Sequence, residues 1–243
     1  MVAPQSREVF LWCWTGADST GKPFLARPCN TWQKGGYSTN TMIVQIILGA
    51  LVGYAMGAIP VGYLVGRAYG VDVRQHGSGR TGGTNVWRSA GITAAALTVV
   101  GDALKGLFAV LIARHYLGGE WAAAFAGMGA VVGHNWPIWL GFRGGAGGVV
   151  GAATLTGINS MAAVIVIPLA VVNLFLTRYA SIGTLNIGLG GFLVLLGTWL
   201  WYPTLTPFPH VLYGAFLTLA IIWALRPNLK RLREGSERQI TIW

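Results

Sequence analysis

Beyond residue 40 the chain alternates between long apolar runs and short gaps that are polar, glycine-rich or basic. The long runs cover residues 42–65, 92–116, 121–140, 161–176, 181–201 and 211–225, and a shorter Gly/Ala-rich segment occupies 144–158. Crossing a bilayer core takes about 20 helical residues, each rising about 1.5 Å. The long runs approach that length and predict membrane spans. The segment at 144–158 is too short to cross while exposed to lipid, so its backbone ends must be buried in protein or line a cavity. The pattern predicts an all-α integral membrane protein of about seven transmembrane helices.

Residues 1–40 break the pattern. They are polar and irregular, with Trp12, Trp14 and Trp32 among Gly, Pro, Ser and Thr. Their one apolar stretch, 9–14, is too short for a signal-peptide core. Three parts follow: a Trp-containing extension (1–40), a seven-helix membrane domain (41–226) and a basic tail (227–243). Composition agrees with lipid as solvent. Hydrophobic residues make up 53% of the chain and charged ones 10%, against about 25% charged in a soluble domain.

The net charge of +10 gains meaning from its placement. Arg67, Arg74, Arg80, Arg88, Arg143, Arg178 and Arg226 follow the odd-numbered spans, and Lys230, Arg231, Arg233 and Arg238 continue into the tail. The other side holds little beyond Arg114 and Glu120. Basic loops stay in the cytoplasm, so the N-terminus is expected outside and the C-terminus inside. Membrane lipids, through their anionic headgroups, are the partner this placement favours, and nucleic acid is not. Cys13 and Cys29 then face an oxidising compartment, where they form a disulfide or remain two thiols. Neither their spacing nor nearby histidines suggest a metal site.

Two glycine clusters fall in the cytoplasmic loops. The first, 77–88, reads Gly-Ser-Gly-Arg-Thr-Gly-Gly-Thr-Asn-Val-Trp-Arg. Glycines let successive amide N–H groups converge on an anion. Ser78, Thr84 and Asn85 add donors, and Arg80 and Arg88 add charge. A flexible basic loop is the plainer alternative. The second cluster, 141–148, opens the short fourth helix and contains Arg143, Gly144, Gly145 and Gly147. A helix N-terminus with bare amides attracts anions, and small residues there also allow close helix packing. Asp102 and Lys105 are three apart within a span, where they can pair. His134 either accepts a proton or holds the glycine loop by a hydrogen bond.

Taken in order, these segments resemble the bacterial acyl-phosphate:glycerol-3-phosphate acyltransferases, the PlsY family. The resemblance runs from Ala58 to Glu237. It rests on the Ile59 to Leu64 segment, the first glycine loop, Asp102 with Lys105-Gly106, and Gly133-His134 with Pro137. Phe142 to Gly145, Arg178 to Gly183, and Arg226, Asn228, Arg231-Leu232, Gly235 and Glu237 complete it. It implies seven helices in a bacterial cell membrane, N-terminus out and C-terminus in. It also implies transfer of an acyl group from acyl phosphate to the sn-1 hydroxyl of glycerol 3-phosphate, giving lysophosphatidate for phospholipid biosynthesis, with no metal or cofactor. By position, Ser78, Arg88 and Asn228 would be catalytic. Gly79, Arg80, Thr84, Asn85, His134, Arg143, Gly144, Gly145, Gly147, Ser181 and Thr184 would hold substrate.

The chain departs from the family pattern at four positions. Arg80 stands where Asn is usual, Gly83 where Ala is usual, Ala146 where Lys is usual, and Leu225 where His is usual. Each lost charge-assisted phosphate contact is worth about 1.5–3 kcal/mol, roughly ten- to hundred-fold in rate if felt only in the transition state. Arg80 compensates if it reaches the same pocket. The alternative is a weak or inactive family member serving as a structural subunit. It would contact other membrane proteins through its N-terminal extension and Trp-rich faces. A transporter with a broken helix is a third reading, which the ordered motifs disfavour.

Overall fold

The structure is a computed structural model that describes residues 39–240. The extension up to Ser38, with Cys13, Cys29 and its tryptophans, lies outside the described residues. All regular elements among the described residues are helical.

Helices α1 (Thr39–Gly57) and α2 (Val61–Ala68) divide the first apolar run. That run reads as one span in sequence, but Pro60 has no N–H and disfavours helical backbone at Ile59, so the helix stops there. Helix α3 (Gly83–Ile112) bends at Gly91, whose φ of 86° and ψ of 175° are not helical. The first glycine loop is therefore shorter than the sequence suggests. It ends at Gly82, and Thr84, Asn85 and Arg88 sit on a short helix ahead of the bend. Packing explains the difference. Val86 is wholly buried against Val73 and Ala94, which favours helix over the flexible loop that the glycines suggest.

A single π turn (Ala113–Leu117) leads to α4 (Gly119–Asn135), followed by α5 (Gly148–Ile158), α6 (Ser160–Thr177), α7 (Ala180–Trp201) and α8 (Phe208–Arg233). Helix α8 runs past the expected start of the tail and through Pro227. The carbonyl of Trp223, which Pro227 cannot serve, accepts instead from Arg226 Nε at 3.1 Å.

Among the described residues, five stretches are long and apolar enough to cross a membrane: 39–68, 83–117, α6, α7 and α8. Helix α4, with 17 residues, and α5, with 11, are shorter. At about 1.5 Å per residue α5 covers only about half of a hydrocarbon core of about 30 Å. Its last carbonyls are satisfied inside the protein. Arg114 donates to Gly157 O at 2.6 Å and to Ile158 O at 3.1 Å.

Large side chains on the outer faces are apolar. Val164, Leu176 and Leu219 are each more than two-thirds exposed, as lipid-facing positions are. Between helices the contacts are small. Gly49, Gly53 and Gly57 of α1 lie directly on the backbone of Ala122, Ala126 and Ala130 of α4. A Cβ at Gly49 would stand 2.6 Å from Ala122 O, and at the other two it would be nearer still. Such close approach is how helices associate when lipid removes the hydrophobic incentive.

Candidate active site: a polar cavity beside an apolar groove

The basic ends of α3, α5, α7 and α8 surround a polar cavity of about 120 Å³. The loop from Val71 to Gly82 forms one wall. Asp72 caps its first turn, accepting from Arg74 N at 3.1 Å and from the Arg74 guanidinium at 3.0 and 2.7 Å. That guanidinium holds the Asp72 carboxyl at about 2. Asn85 shapes the rest of the loop. Its Nδ2 donates to the carbonyls of Val73, His76 and Arg80 at 2.8, 3.1 and 2.8 Å, and its Oδ1 accepts from Ser78 N at 2.9 Å. The amide of Asn85 is thus committed to holding Ser78 and Arg80 at the cavity.

The second glycine cluster is locked to the first, because Thr81 N donates to Gly144 O at 3.4 Å. Gly144 N and Gly145 N donate to Asn135 O and His134 O at 3.1 and 3.0 Å. A side chain at Gly145 would run into the His134 ring, so glycine is required there by contact. His134 Nδ1 lies 3.5 Å from Asp102 Oδ1, and Lys105 Nζ lies 2.8 Å from the same oxygen. Lys105 also donates to Ile59 O at 2.8 Å, pinning the break between α1 and α2. The pair that the i, i+3 spacing predicts therefore forms, and it brings the Asp102 carboxylate to the cavity.

Most of the residues singled out in the sequence meet here. Ser78, Arg80, Thr84, Asn85, Arg88, His134, Gly147, Ser181, Thr184 and Asn228 all line the cavity. Gly79, Arg143, Gly144 and Gly145 do not. They line a wider neighbouring cavity, which Ser78 and Arg80 also border. Arg80 is half-buried and its Nη2 donates to Ala224 O, next to Leu225. Burial and the nearby Arg231 lower its proton affinity below the usual guanidinium range, while Glu237 acts the other way. Ala146 and Leu225 line the cavity with apolar surface, so Arg80 is a cation on the side those two leave uncharged.

Sequence reasoning gave Glu237 no role. Its Oε1 accepts from Asn228 Nδ2 at 2.6 Å and from Ser181 Oγ at 3.4 Å, and its Oε2 accepts from Arg231 Nε at 2.8 Å. Apart from its place in the resemblance, a carboxylate in a basic tail carries no local signal; only the fold brings it under these donors. The tail is held by Arg88, whose Nη2 donates to the carbonyls of Arg238 and Gln239 at 3.3 and 3.2 Å. Ile240 N closes the strap on Arg178 O at 2.8 Å. Arg80, Arg88, Arg231 and Arg238 thus face two carboxylates, Asp102 and Glu237, leaving an excess of positive charge that suits a phosphate dianion.

Beside the cavity lies an apolar groove of about 580 Å³ between α3, α5, α6 and α7. Leu104, Leu107, Ala152, Ile167 and Val171 line the groove. Thr84, Gly148, Val149, Ala180 and Thr184 border both spaces. An amphiphile with an anionic head fits this arrangement, its tail in the groove and its head among the arginines.

Comparison with known proteins agrees with this chemistry. The sequence model of the glycerol-3-phosphate acyltransferase family matches residues 47–235. The chain belongs to the glycerol-3-phosphate acyltransferase family. It is 42% identical to the glycerol-3-phosphate acyltransferase of Rubrobacter xylanophilus over 79% of this chain and 94% of that one. It is 39% identical to one from Thermus thermophilus over 78% and 92%. Crystal structures of PlsY, an integral membrane glycerol 3-phosphate acyltransferase, share the architecture. The glycerol 3-phosphate form superposes with a TM-score of 0.73 at 27% identity, covering 81% of this chain and 96% of that one. The lysophosphatidic acid form gives 0.71 at 27% identity, covering 81% and 95%. Like other members of the acyltransferase family, the chain is a multi-helix membrane protein.

Proposed function

We propose that the protein transfers an acyl group from acyl phosphate to the sn-1 hydroxyl of glycerol 3-phosphate, releasing lysophosphatidate and inorganic phosphate. The observation that carries this reading is the shared border of the polar cavity and the apolar groove. The acyl chain lies in the groove, and its reactive carbonyl reaches the border at Thr84, Gly148 and Thr184. The glycerol hydroxyl oxygen bonds to the acyl carbon, and the bond from that carbon to the phosphate oxygen breaks. The hydroxyl proton goes to the departing phosphate. An acyl phosphate already carries a good leaving group, so alignment and neutralisation of developing charge suffice.

Ser78 and Arg88 hold phosphate at the mouth of α3, with Gly147 and the α5 N-terminus opposite. Asn228, Ser181 and Thr184 form the glycerol-phosphate side. Arg80 supplies the charge that Ala146 and Leu225 lack. The seven apolar segments, with α1 and α2 counted as one, form the membrane bundle with the N-terminus outside, the short α5 passing inside the protein, where its ends need not meet lipid. The cavity and the C-terminal strap then face the cytoplasm, where soluble glycerol 3-phosphate is available, and the basic residues around the cavity support that placement.

The test uses purified full-length protein with acyl phosphate and glycerol 3-phosphate. Lysophosphatidate should form, and Ser78→Ala or Arg88→Ala should abolish it. Arg80→Gln should lower kcat/KM by roughly ten- to hundred-fold. No product from folded protein that co-purifies with other membrane subunits would overturn this reading in favour of a non-enzymatic subunit.

A further inference from the structure

The end of the bundle away from the polar cavity holds a charged cluster that the transfer step does not use. Glu120, in the first turn of α4, takes two partners on one oxygen. Its Oε2 accepts from Arg114 Nη2 at 2.7 Å and lies 2.7 Å from His210 Nε2. His210 is buried near the start of α8, and Arg114 sits in the π turn that follows α3. Gln45 of α1 donates to Leu117 O at 2.8 Å and ties down the far end of that turn. Segments from α1, α3, α4 and α8 thus hold one guanidinium in place, and the guanidinium serves α5. Arg114 Nη1 and Nη2 donate to Gly157 O and Ile158 O at 2.6 and 3.1 Å, the carbonyls that close α5.

The other end of α5 stands at the reaction. The helix rises about 16 Å over its 11 residues. Its first residues, Gly148 and Val149, lie on the shared border of cavity and groove. Gly148 is so close to α7 that a Cβ there would stand 2.6 Å from Thr184 Oγ1. Midway, Tyr213 donates to Gly151 O at 3.2 Å. A helix is stiff along its axis, because its hydrogen bonds run that way, so a displacement at Ile158 reappears at Gly148. Without Arg114 the last two carbonyls lose their donors, and the helix end must move to find others. We infer that Arg114 is a positioning residue for the acyl transfer. Fixed by Glu120 and His210, it sets the height of α5 from the far end, and so the place of the first α5 amides against the reacting carbonyl. The anchoring of α5 rests on geometry alone; its consequence for turnover rests on the acyl-transfer reading.

The experiment measures the height of α5 first without turnover and then with it, in full-length protein in phosphatidylcholine nanodiscs. Cys13→Ser and Cys29→Ser are combined with Gly148→Cys and Thr184→Cys. A Cβ at Gly148 would lie 3.3 Å from Thr184 Cβ, near the spacing of a disulfide, so a mild oxidant should join the pair readily. Adding Arg114→Met should slow the joining roughly tenfold. Arg114→Lys, which keeps a charged donor, should slow it less. Gly53→Ala, which strains only the contact of α1 with α4, should leave it unchanged. With positions 148 and 184 native, Arg114→Met should lower kcat roughly ten- to hundred-fold with little change in the KM for glycerol 3-phosphate, and Arg114→Lys should recover part of the loss. A joining rate that ignores Arg114→Met would overturn the proposal whatever happens to turnover. So would a pair that fails to join while Arg114 is intact, since α5 would not stand at this height. An equal loss of kcat in Gly53→Ala, at an equal loss of melting temperature, would also overturn it, by making Arg114 a general support of the bundle. A protein that makes no lysophosphatidate, yet joins the pair at a rate set by Arg114, keeps the anchor and loses the enzymatic reading.

Discussion

At the scale of single residues, the site is organised by side chains that never need to touch substrate. Asn85 ties four points of the first loop together. Asn85→Ala leaves several buried backbone groups unpaired, at about 1–3 kcal/mol for each fully desolvated one. We expect kcat/KM to fall at least tenfold while the helical circular dichroism is kept. Lys105 belongs to the same class. Lys105→Met strands the Asp102 carboxylate in the interior, which costs about 3–5 kcal/mol. Adding Asp102→Asn should recover part of the lost melting temperature in detergent. Asp72 gives a pH prediction. Its carboxyl, held at about 2 by Arg74, is lower folded than unfolded. Its contribution is therefore complete above the ordinary carboxylate range and is lost as pH falls through about 2. The turnover profile of Asp72→Asn should parallel that of the parent between about pH 5 and 8.

Ser78, Arg88 and Asn228 are singled out by their positions in the resemblance, and the fold brings all three to the lining of one cavity. The sequence does not show that the Asn85 amide is committed to the loop, since an amide looks the same in either role. It marks Glu237 only as part of the resemblance and gives it no role, because its partners lie on two other helical segments and meet it only in the folded chain.

At the scale of helices, close packing of small residues replaces a conventional core. The glycines at 49, 53 and 57 recur every fourth residue and form one stripe on α1, seated on alanines of α4. The repeat is visible in the sequence, but span length and hydropathy say nothing of what it packs against. Gly53→Leu forces the two helices apart. Overpacking of this kind costs about 1–3 kcal/mol, so the melting temperature in detergent should drop, whereas Gly197→Ala, in open space, should leave it unchanged. The break at Pro60 and the bend at Gly91 were harder to place. Hydropathy averages over both, and the helix before the bend exists because Val86 finds a buried niche. The short fourth helix was legible as a problem of unsatisfied backbone. Its solution, Arg114 on the α5 carbonyls, required the tertiary structure.

At the scale of the whole molecule, the bundle sets an apolar groove and an arginine-lined cavity side by side, with a strap of tail across the basic end. The proposed topology places that end in the cytoplasm. A C-terminal green fluorescent protein fusion should therefore fluoresce, and an alkaline phosphatase fusion at the same point should be inactive. The central claim is that chain and headgroup occupy separate compartments meeting at Thr84, Gly148 and Thr184. The most direct measurement is the split of Michaelis constants between two variants. Ala152→Phe narrows the groove and should raise the KM for long-chain acyl phosphate at least tenfold with little change for glycerol 3-phosphate. Arg88→Lys, which retains charge but loses the Nη2 donor that holds the tail, should raise the KM for glycerol 3-phosphate instead. If Ala152→Phe changes both constants equally, or neither, the groove does not hold the acyl chain and the account fails.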